Sequence, residues 1–133
     1  MAEIDDDALA VARRAWDRWI AADLEGVLAM WAPDGEWTLA GHSQISGTWR
    51  GPDEIAKVAQ AAFELSGGTL KARPLELAAA GDDSVLGYYH VEASRPEATM
   101  NQNGLQRFVI RDGKMVSLHN LFEDLDEFDI FYE

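Results

Sequence analysis

Apolar residues recur at helical spacing in the first half of the chain and alternate with polar residues in the second half. After the acidic residues Asp5–Asp7, which can cap a helix, apolar side chains fall on one stripe and predict a long first helix. A second, short helix should start at Asp23, carry Trp31 and end in the turn at residues 33–35. A third helix is predicted from Pro52, because proline suits the first turn of a helix.

The second half of the chain has the pattern of a sheet. Gly, Ser and Thr dominate residues 41–51, which we interpret as a loop before the third helix. Asp112-Gly113 predicts a two-residue hairpin between the last two strands. Strands are predicted at Glu36–Ala40, Leu70–Ala80, Ser84–Ser94, Thr99–Ile110 and Lys114–Phe122. The expected fold class is α+β, with a cone-shaped, curved antiparallel sheet packed against three N-terminal helices to form an α+β barrel that encloses a pocket.

Composition and charge restrict the organisation of the chain and its partners. The 133 residues suit one domain spanning 1–133, without internal repeats. The lack of cysteine excludes thiol catalysis and zinc–thiolate sites, and a formal net charge of −13 disfavours nucleic acid and membrane surfaces as partners. The N-terminus is acidic where a signal peptide would be basic, and no apolar run approaches the roughly 20 residues of a membrane span. We therefore expect a cytoplasmic protein.

Two segments carry a resemblance to a known family. Residues 47–55 read Gly-Thr-Trp-Arg-Gly-Pro-Asp-Glu-Ile, and residues 108–115 read Phe-Val-Ile-Arg-Asp-Gly-Lys-Met. The first resembles the entry to the third helix in the SnoaL-like family, of the nuclear-transport-factor-2-like superfamily, and the second resembles its final Asp-Gly-Lys hairpin. The resemblance covers nearly the whole chain and implies a homodimer formed through the convex face of the sheet. It implies no single activity, because this fold hosts ketosteroid isomerases, polyketide cyclases, dehydratases, epoxide hydrolases and non-catalytic binding proteins.

Several positions depart from the catalytic patterns of that superfamily. Ala15 stands where ketosteroid isomerases have an oxyanion-binding tyrosine, Leu39 where they have the general-base aspartate, and Gln106 where they have a protonated acid. Without the base, proton abstraction next to a carbonyl has no agent. Asn120 stands where SnoaL-type cyclases have an acid–base aspartate, and an amide cannot take a proton at neutral pH. His90 resembles the pocket histidine of the dehydratases.

The resemblance implies that Asn120 and Gln106 face the pocket, and strand alternation then predicts that His90 converges with them, where a histidine beside two amides would orient the oxygens of a flat ligand. His90 is the candidate catalytic residue, because it can titrate near neutrality and Glu92 on the same face would raise its pKa. The alternative is a buried polar network that satisfies itself or binds water. The other candidate ligand-binding residues are Trp19, Trp37, His42 in a lid loop, Tyr88, Glu92, Phe108, Leu118 and Phe122.

Three functions stay open. One is a cofactor-independent lyase, isomerase or cyclase for a hydrophobic, oxygenated substrate, with His90 as acid or base and the two amides as donors. Another is a non-catalytic protein that binds a small apolar ligand. The third is a structural or partner-binding domain in which side chains fill the cavity and the acidic, aromatic tail 123–133 is the contact surface. In any of these cases the tail is too apolar to be left in water and should pack on a sheet or on another subunit. The three histidines lie on different elements without paired carboxylates, so no metal ion is expected, and no cofactor is expected either.

Overall fold

Each of the four helices begins with an aspartate that caps its N-terminus or with a proline in its first turn. The computed structural model describes residues 7–133, so the predicted capping by Asp5 and Asp6 concerns residues outside the described ones. The carboxylate of Asp7 accepts hydrogen bonds from the backbone N–H groups of Leu9 and Ala10, 2.8 and 3.4 Å away. Asp23 and Asp124 cap the second and fourth helices in the same way, and Pro52 lies in the first turn of the third. The helices are α1 (Ala8–Ile20), α2 (Leu24–Leu28), α3 (Gly51–Leu65) and α4 (Leu125–Phe131).

Six strands form one curved sheet in the order β2-β1-β6-β5-β4-β3. The strands are β1 (Trp31–Leu39), β2 (Gly47–Arg50), β3 (Lys71–Ala79), β4 (Ser84–Arg95), β5 (Ala98–Arg111) and β6 (Lys114–Phe122). All neighbours are antiparallel except β1 and β6, which are parallel. The predicted α+β class and curved sheet are confirmed, but the predicted closure into a barrel is wrong. β2 and β3 are free edges, and α3 packs against β1 while α1 packs against β3, so helices rather than strand pairing cover the concave side.

The segment between α2 and α3 differs from the prediction. Trp31 belongs to β1 and not to a helix, because the backbone N–H of Met115 donates to the carbonyl of Met30 and pairs this segment with β6. The predicted turn at 33–35 is an irregularity inside β1, where the register shifts. The predicted loop 41–51 contains β2, which pairs with β1.

The acidic, aromatic tail packs inside the protein. Phe128, Phe131 and Tyr132 of this tail are all at most 2% exposed. The ring of Phe128 stacks on Phe122 of β6, with centroids 3.8 Å apart, and the Tyr132 hydroxyl donates to the carbonyl of Ala62 on α3. The tail therefore links the end of the sheet to α3. Across residues 7–133, no helix has both the length and the apolar character that crossing a membrane requires.

Candidate functional site

A cavity of about 120 Å³ lies between the helices and the concave face of the sheet. Its wall is made of aliphatic and aromatic side chains from all four helices, from β1 and from β3 to β6. A cavity of roughly 150 Å³ holds a benzene molecule, whereas drug-sized ligands occupy roughly 300–1,000 Å³. The cavity therefore suits a molecule built on one ring, and a larger ligand requires the wall to move.

One of two buried amides in the wall is held by Trp16 of α1. The side-chain oxygen of Gln106 on β5 accepts a hydrogen bond of 2.7 Å from the Trp16 indole N–H. Gly87, directly opposite on β4, makes room for this side chain, because a Cβ at that position would lie 2.9 Å from the Gln106 Cγ. Helix α1 and the centre of the sheet are thus joined through a polar contact at the cavity wall.

The second amide, Asn120 of β6, is bound on two sides. Its oxygen accepts a hydrogen bond of 2.8 Å from the indole N–H of Trp37. Its amide also hydrogen-bonds Tyr89, whose hydroxyl donates to the carbonyl of Leu121 at 3.1 Å. Gly104 lies opposite Tyr89 and leaves the space that the phenol occupies. Asn120 is therefore satisfied by the protein itself.

The described part of the cavity wall carries no group that changes charge near neutral pH. Burial raises the pKa of Tyr89 above its ordinary value, and the hydrogen bond from Asn120 lowers it by less. Burial likewise raises the pKa of Tyr132. Among the described residues that line the cavity there is no Asp, Glu, His, Lys or Arg. The cavity is consequently neutral, with hydrogen-bonding groups but no acid or base.

Seven of the candidate ligand-binding residues line this cavity. They come from α1, β1, β5 and β6 and are Trp19, Trp37, Gln106, Phe108, Leu118, Asn120 and Phe122. Gln106 is paired with Asn120 and Phe108 with Leu118, so both strands turn the same face inward, as expected. The position of these side chains agrees with the expectation, and their role in binding stays a prediction.

The expected convergence of His90 with the two amides does not occur. Tyr88, His90 and Glu92 lie on the outer face of β4 and do not line the cavity. The two-residue turn after Arg95 pairs this residue with Ala98, so each odd-numbered residue of β4 faces an even-numbered residue of β5. Directly paired residues point to the same side of a sheet. Gly87 and its odd-numbered neighbours therefore share the inner face with Gln106, and the even-numbered His90 is outside.

The outer-face residues form a hydrogen-bonded chain of their own. The Nδ1 of His90 is 2.7 Å from the side-chain oxygen of Asn103, whose amide N–H donates to the Tyr88 hydroxyl at 2.8 Å. The Tyr88 hydroxyl in turn donates to Glu123 at 3.3 Å. The Oε2 of Glu92 lies 3.7 Å from the Nε2 of His90. The two side chains are therefore neighbours, as expected, but they lie on the face of the sheet that points away from the cavity.

His42 does not form a lid over the cavity. Its side chain is 93% exposed, and its backbone N–H donates to the carboxylate of Asp129 at 2.9 Å. This contact ties the loop to α4 and leaves the His42 imidazole in solvent, while Ile45 of the same loop lines the cavity. No three His, Asp or Glu side chains in the part of the chain that the structure describes are grouped so as to hold a metal ion.

Five important lining residues were not among the candidates: Trp16, Trp31, Tyr89, Phe128 and Tyr132. Helical apolar spacing predicts Trp16 as a core residue and places Trp31 on the second helix, and alternation from the candidate Tyr88 predicts that Tyr89 faces outward. The two tail residues belong to a helix that brings the C-terminus back to the cavity. The alternation in β4 contained the signal for Tyr89, because this residue shares the odd-numbered side with Val85, Val91 and Ala93, whereas His90 and Glu92 share the even-numbered side.

The chain is similar to one family and to several solved structures. The family model of the SnoaL-like domain matches residues 12–118. Rv0034, an uncharacterized protein of Mycobacterium tuberculosis, is 23% identical over 120 residues, which cover 90% of this chain and 92% of that protein. A Xanthomonas campestris protein of unknown function with a cystatin-like fold superposes with a TM-score of 0.89 at 25% identity, covering 95% of this chain and 98% of that one.

Two further structural neighbours have names that mention a ligand or an activity. TerC, co-crystallised with polyporic acid, superposes with a TM-score of 0.79 at 20% identity over 92% of this chain and 96% of that one. A candidate polyketide cyclase from Xanthomonas campestris has a TM-score of 0.72 at 16% identity, with 95% and 96% of the chains covered. At these identities the likeness concerns the fold.

Proposed function

The chain belongs to the SnoaL-like domain family, and we propose that it binds one small, neutral, largely apolar molecule in the cavity without acid–base chemistry. The observation that supports this proposal is the composition of the wall, which is apolar except for amides, phenols and indoles. Sites of this composition bind ligands by burying apolar surface and orient them by a few hydrogen bonds. TerC, with the same fold, was co-crystallised with polyporic acid, which agrees with an organic ligand.

An acid–base enzyme is the weaker hypothesis for this cavity. A general acid or base must lie within hydrogen-bonding reach of the reacting group and must exchange a proton near the working pH. His90, the candidate for this role, lies on the outer face, and the raised pKa values of Tyr89 and Tyr132 keep both phenols protonated. Binding without proton transfer is the function that these groups can perform.

The test is binding of toluene, measured by isothermal titration calorimetry, to the wild type and to two matched variants. Ala59→Leu adds three carbon atoms at a lining residue of α3 that is 1% exposed. Ala56→Leu makes the same change on the same helix at a half-buried residue that does not line the cavity. We expect toluene to bind the wild type and Ala56→Leu, and to lose most of its affinity for Ala59→Leu. Failure of toluene to bind the wild type, or equal binding by Ala59→Leu, contradicts the proposal.

We also propose that the protein partner is a second copy of the chain, bound through the outer face of the sheet. Leu105 of β5 is paired with Tyr88 of β4 on one side and with Leu121 of β6 on the other. Leu86 lies two residues before Tyr88 on the same face of β4. The three leucines are 47–53% exposed. A contiguous apolar strip across three strands is typical of an interface. Leu105→Lys should make the protein monomeric in light scattering, whereas Leu75→Lys, on the edge strand β3, should not; a dimeric Leu105→Lys variant would refute this interface.

A further inference from the structure

Trp16 fixes the orientation of the Gln106 side-chain amide. An indole nitrogen can only donate, so the amide atom 2.7 Å from it is the oxygen. Both residues are buried, so water does not replace this contact. If the amide rotated by half a turn, its NH2 group would face the indole N–H. Two donors would then meet, and the indole N–H would have no acceptor. The oxygen end of Gln106 is therefore held at Trp16.

The nitrogen of the same amide is a donor without an acceptor. It makes no hydrogen bond to any of residues 7–133, although Gln106 is 5% exposed and lines the cavity. The oxygen also lies close to Gly87, where a Cβ would be 3.1 Å away. A molecule in the cavity thus meets a donor at Gln106, because the acceptor is occupied and packed against β4.

The other amide and the phenols of the wall are engaged with the protein itself. Asn120 hydrogen-bonds Trp37 and Tyr89. The hydroxyl groups of Tyr89 and Tyr132 donate to the backbone carbonyls of Leu121 and Ala62. The amide N–H of Gln106 differs from these groups, because it is a donor that the described residues leave unused.

We infer that the cavity selects a neutral, ring-sized molecule that carries a carbonyl oxygen, with Gln106 as the donor to that oxygen and Trp16 as the residue that positions Gln106. This inference rests on the proposed function. The carbonyl accepts without bringing a proton of its own, so it matches the free amide N–H. An anion would accept as well, but it would enter an uncharged cavity of a protein with a net charge of −13.

The experiment compares two ligands of the same shape. Acetophenone and α-methylstyrene differ in having a carbonyl oxygen or a methylene group at one position. Their dissociation constants are measured by calorimetry for the wild type and for the double variant Trp16→Phe/Gln106→Met, which removes both the donor and the residue that positions it. Gln60→Met on the exposed side of α3 is the matched control. Because the hydration of each free ligand is the same for every protein variant, the change in the ratio of the two constants between variants reports the loss of the hydrogen bond.

We expect the double variant to lose about fivefold to tenfold in affinity for acetophenone relative to α-methylstyrene, the worth of one neutral hydrogen bond. The Gln60→Met control should keep the wild-type ratio. An unchanged ratio in the double variant overturns the inference and leaves the proposed function standing if both ligands bind. Binding of neither ligand to the wild type overturns both.

Trp16→Phe alone tests the positioning role. Without the indole N–H, the Gln106 amide is free to turn its oxygen towards the cavity. Aniline, which carries N–H donors and resembles toluene in size, should then gain about fivefold in affinity relative to toluene compared with the wild type. A loss of packing alone would weaken both ligands equally, and that result contradicts a positioning role for Trp16.

Discussion

Gly104 controls how closely β5 approaches Tyr89 and β6, and its replacement by alanine gives a quantitative test of the structure. An alanine Cβ would lie 2.5 Å from the carbonyl oxygen of Leu121 and 2.5 Å from the Cζ of Tyr89. Both contacts are about 1 Å too short, and the carbonyl is part of the backbone of β6, so it cannot rotate away. Relief of the clash separates the strands or displaces the phenol, whose hydrogen bond to Leu121 is then lost.

We expect Gly104→Ala to lower the free energy of unfolding by about 1–3.5 kcal/mol. Overpacking contributes ~1–3 kcal/mol and the lost hydrogen bond ~1 kcal/mol, against a gain of roughly 0.5–1 kcal/mol for replacing a strand glycine. With a urea m-value of about 2 kcal/mol/M, the unfolding midpoint should fall by about 0.5–1.8 M. Gly87→Ala is the comparison, since the atoms nearest to its Cβ belong to the side chains of Gln106 and Leu77, at 2.9 and 3.0 Å, and not to the backbone.

A double-mutant cycle with Tyr89→Phe separates the two contributions. The phenylalanine variant loses the hydroxyl and should be destabilised by about 1 kcal/mol. Because Gly104→Ala has already broken the same hydrogen bond, the combined variant should be about 1 kcal/mol more stable than the sum of the single changes predicts. A Gly104→Ala variant as stable as the wild type, or no more damaged than Gly87→Ala, would refute the reasoning.

Three further predictions concern the walls of the cavity and the tail. Trp37→Phe leaves the oxygen of Asn120 without its donor and should lower the free energy of unfolding by about 1–2 kcal/mol in urea titrations, with an unchanged midpoint as the contrary result. Phe131→Ala removes a ring that is 0% exposed and should lower it by about 3–5 kcal/mol; a loss below 1 kcal/mol would mean that α4 does not stabilise the fold. Burial raises the pKa of Tyr89 and Tyr132, so the folded protein keeps protons that the unfolded chain releases above about pH 10. Stability should therefore be fully retained below pH 10 and fall above it, by up to ~1.4 kcal/mol per pH unit for each phenol, and Tyr132→Phe should reduce this slope in urea titrations at pH 9–11. An equal slope in that variant contradicts the assignment.

Local sequence signals were sufficient to predict most of the helices and hairpins. Asp7 and Asp23 cap helices where the sequence placed them, and the Asp112-Gly113 turn joins β5 to β6 as predicted. The β1 pairing with β6 joins residues more than 80 positions apart, and such a contact leaves no local pattern. It converts Trp31 from a predicted helical residue into the start of β1.

The errors in the predicted site arose because side chains of one strand were assigned to the wrong face of the sheet. A shift of one residue turns every side chain of a strand to the other face. For β5 and β6, counting from the Asp112-Gly113 turn alone would pair Gln106 with His119, but an irregularity after Val109 restores the pairing with Asn120. The family resemblance, not local counting, placed these two residues correctly. For β4 no such irregularity intervenes, and counting from the turn at Pro96 would have placed His90 outside.

The Trp16–Gln106 pair shows why a polar contact persists in an apolar wall. Loss of either partner leaves the other buried without its bond, so Trp16→Phe and Gln106→Met should each destabilise the ligand-free protein by about 1–2 kcal/mol. The double variant leaves no buried group without its hydrogen bond, so it should lose less stability than the sum of the two single changes, although the smaller phenylalanine ring leaves space that the indole filled. The hydrogen bond of the pair would then contribute little net stability, and its value would lie in presenting a donor to a ligand. If the double variant were instead as unstable as the sum of the two single changes, the two side chains would not be energetically coupled, and carbonyl recognition through a Gln106 amide held by Trp16 would lose its main support.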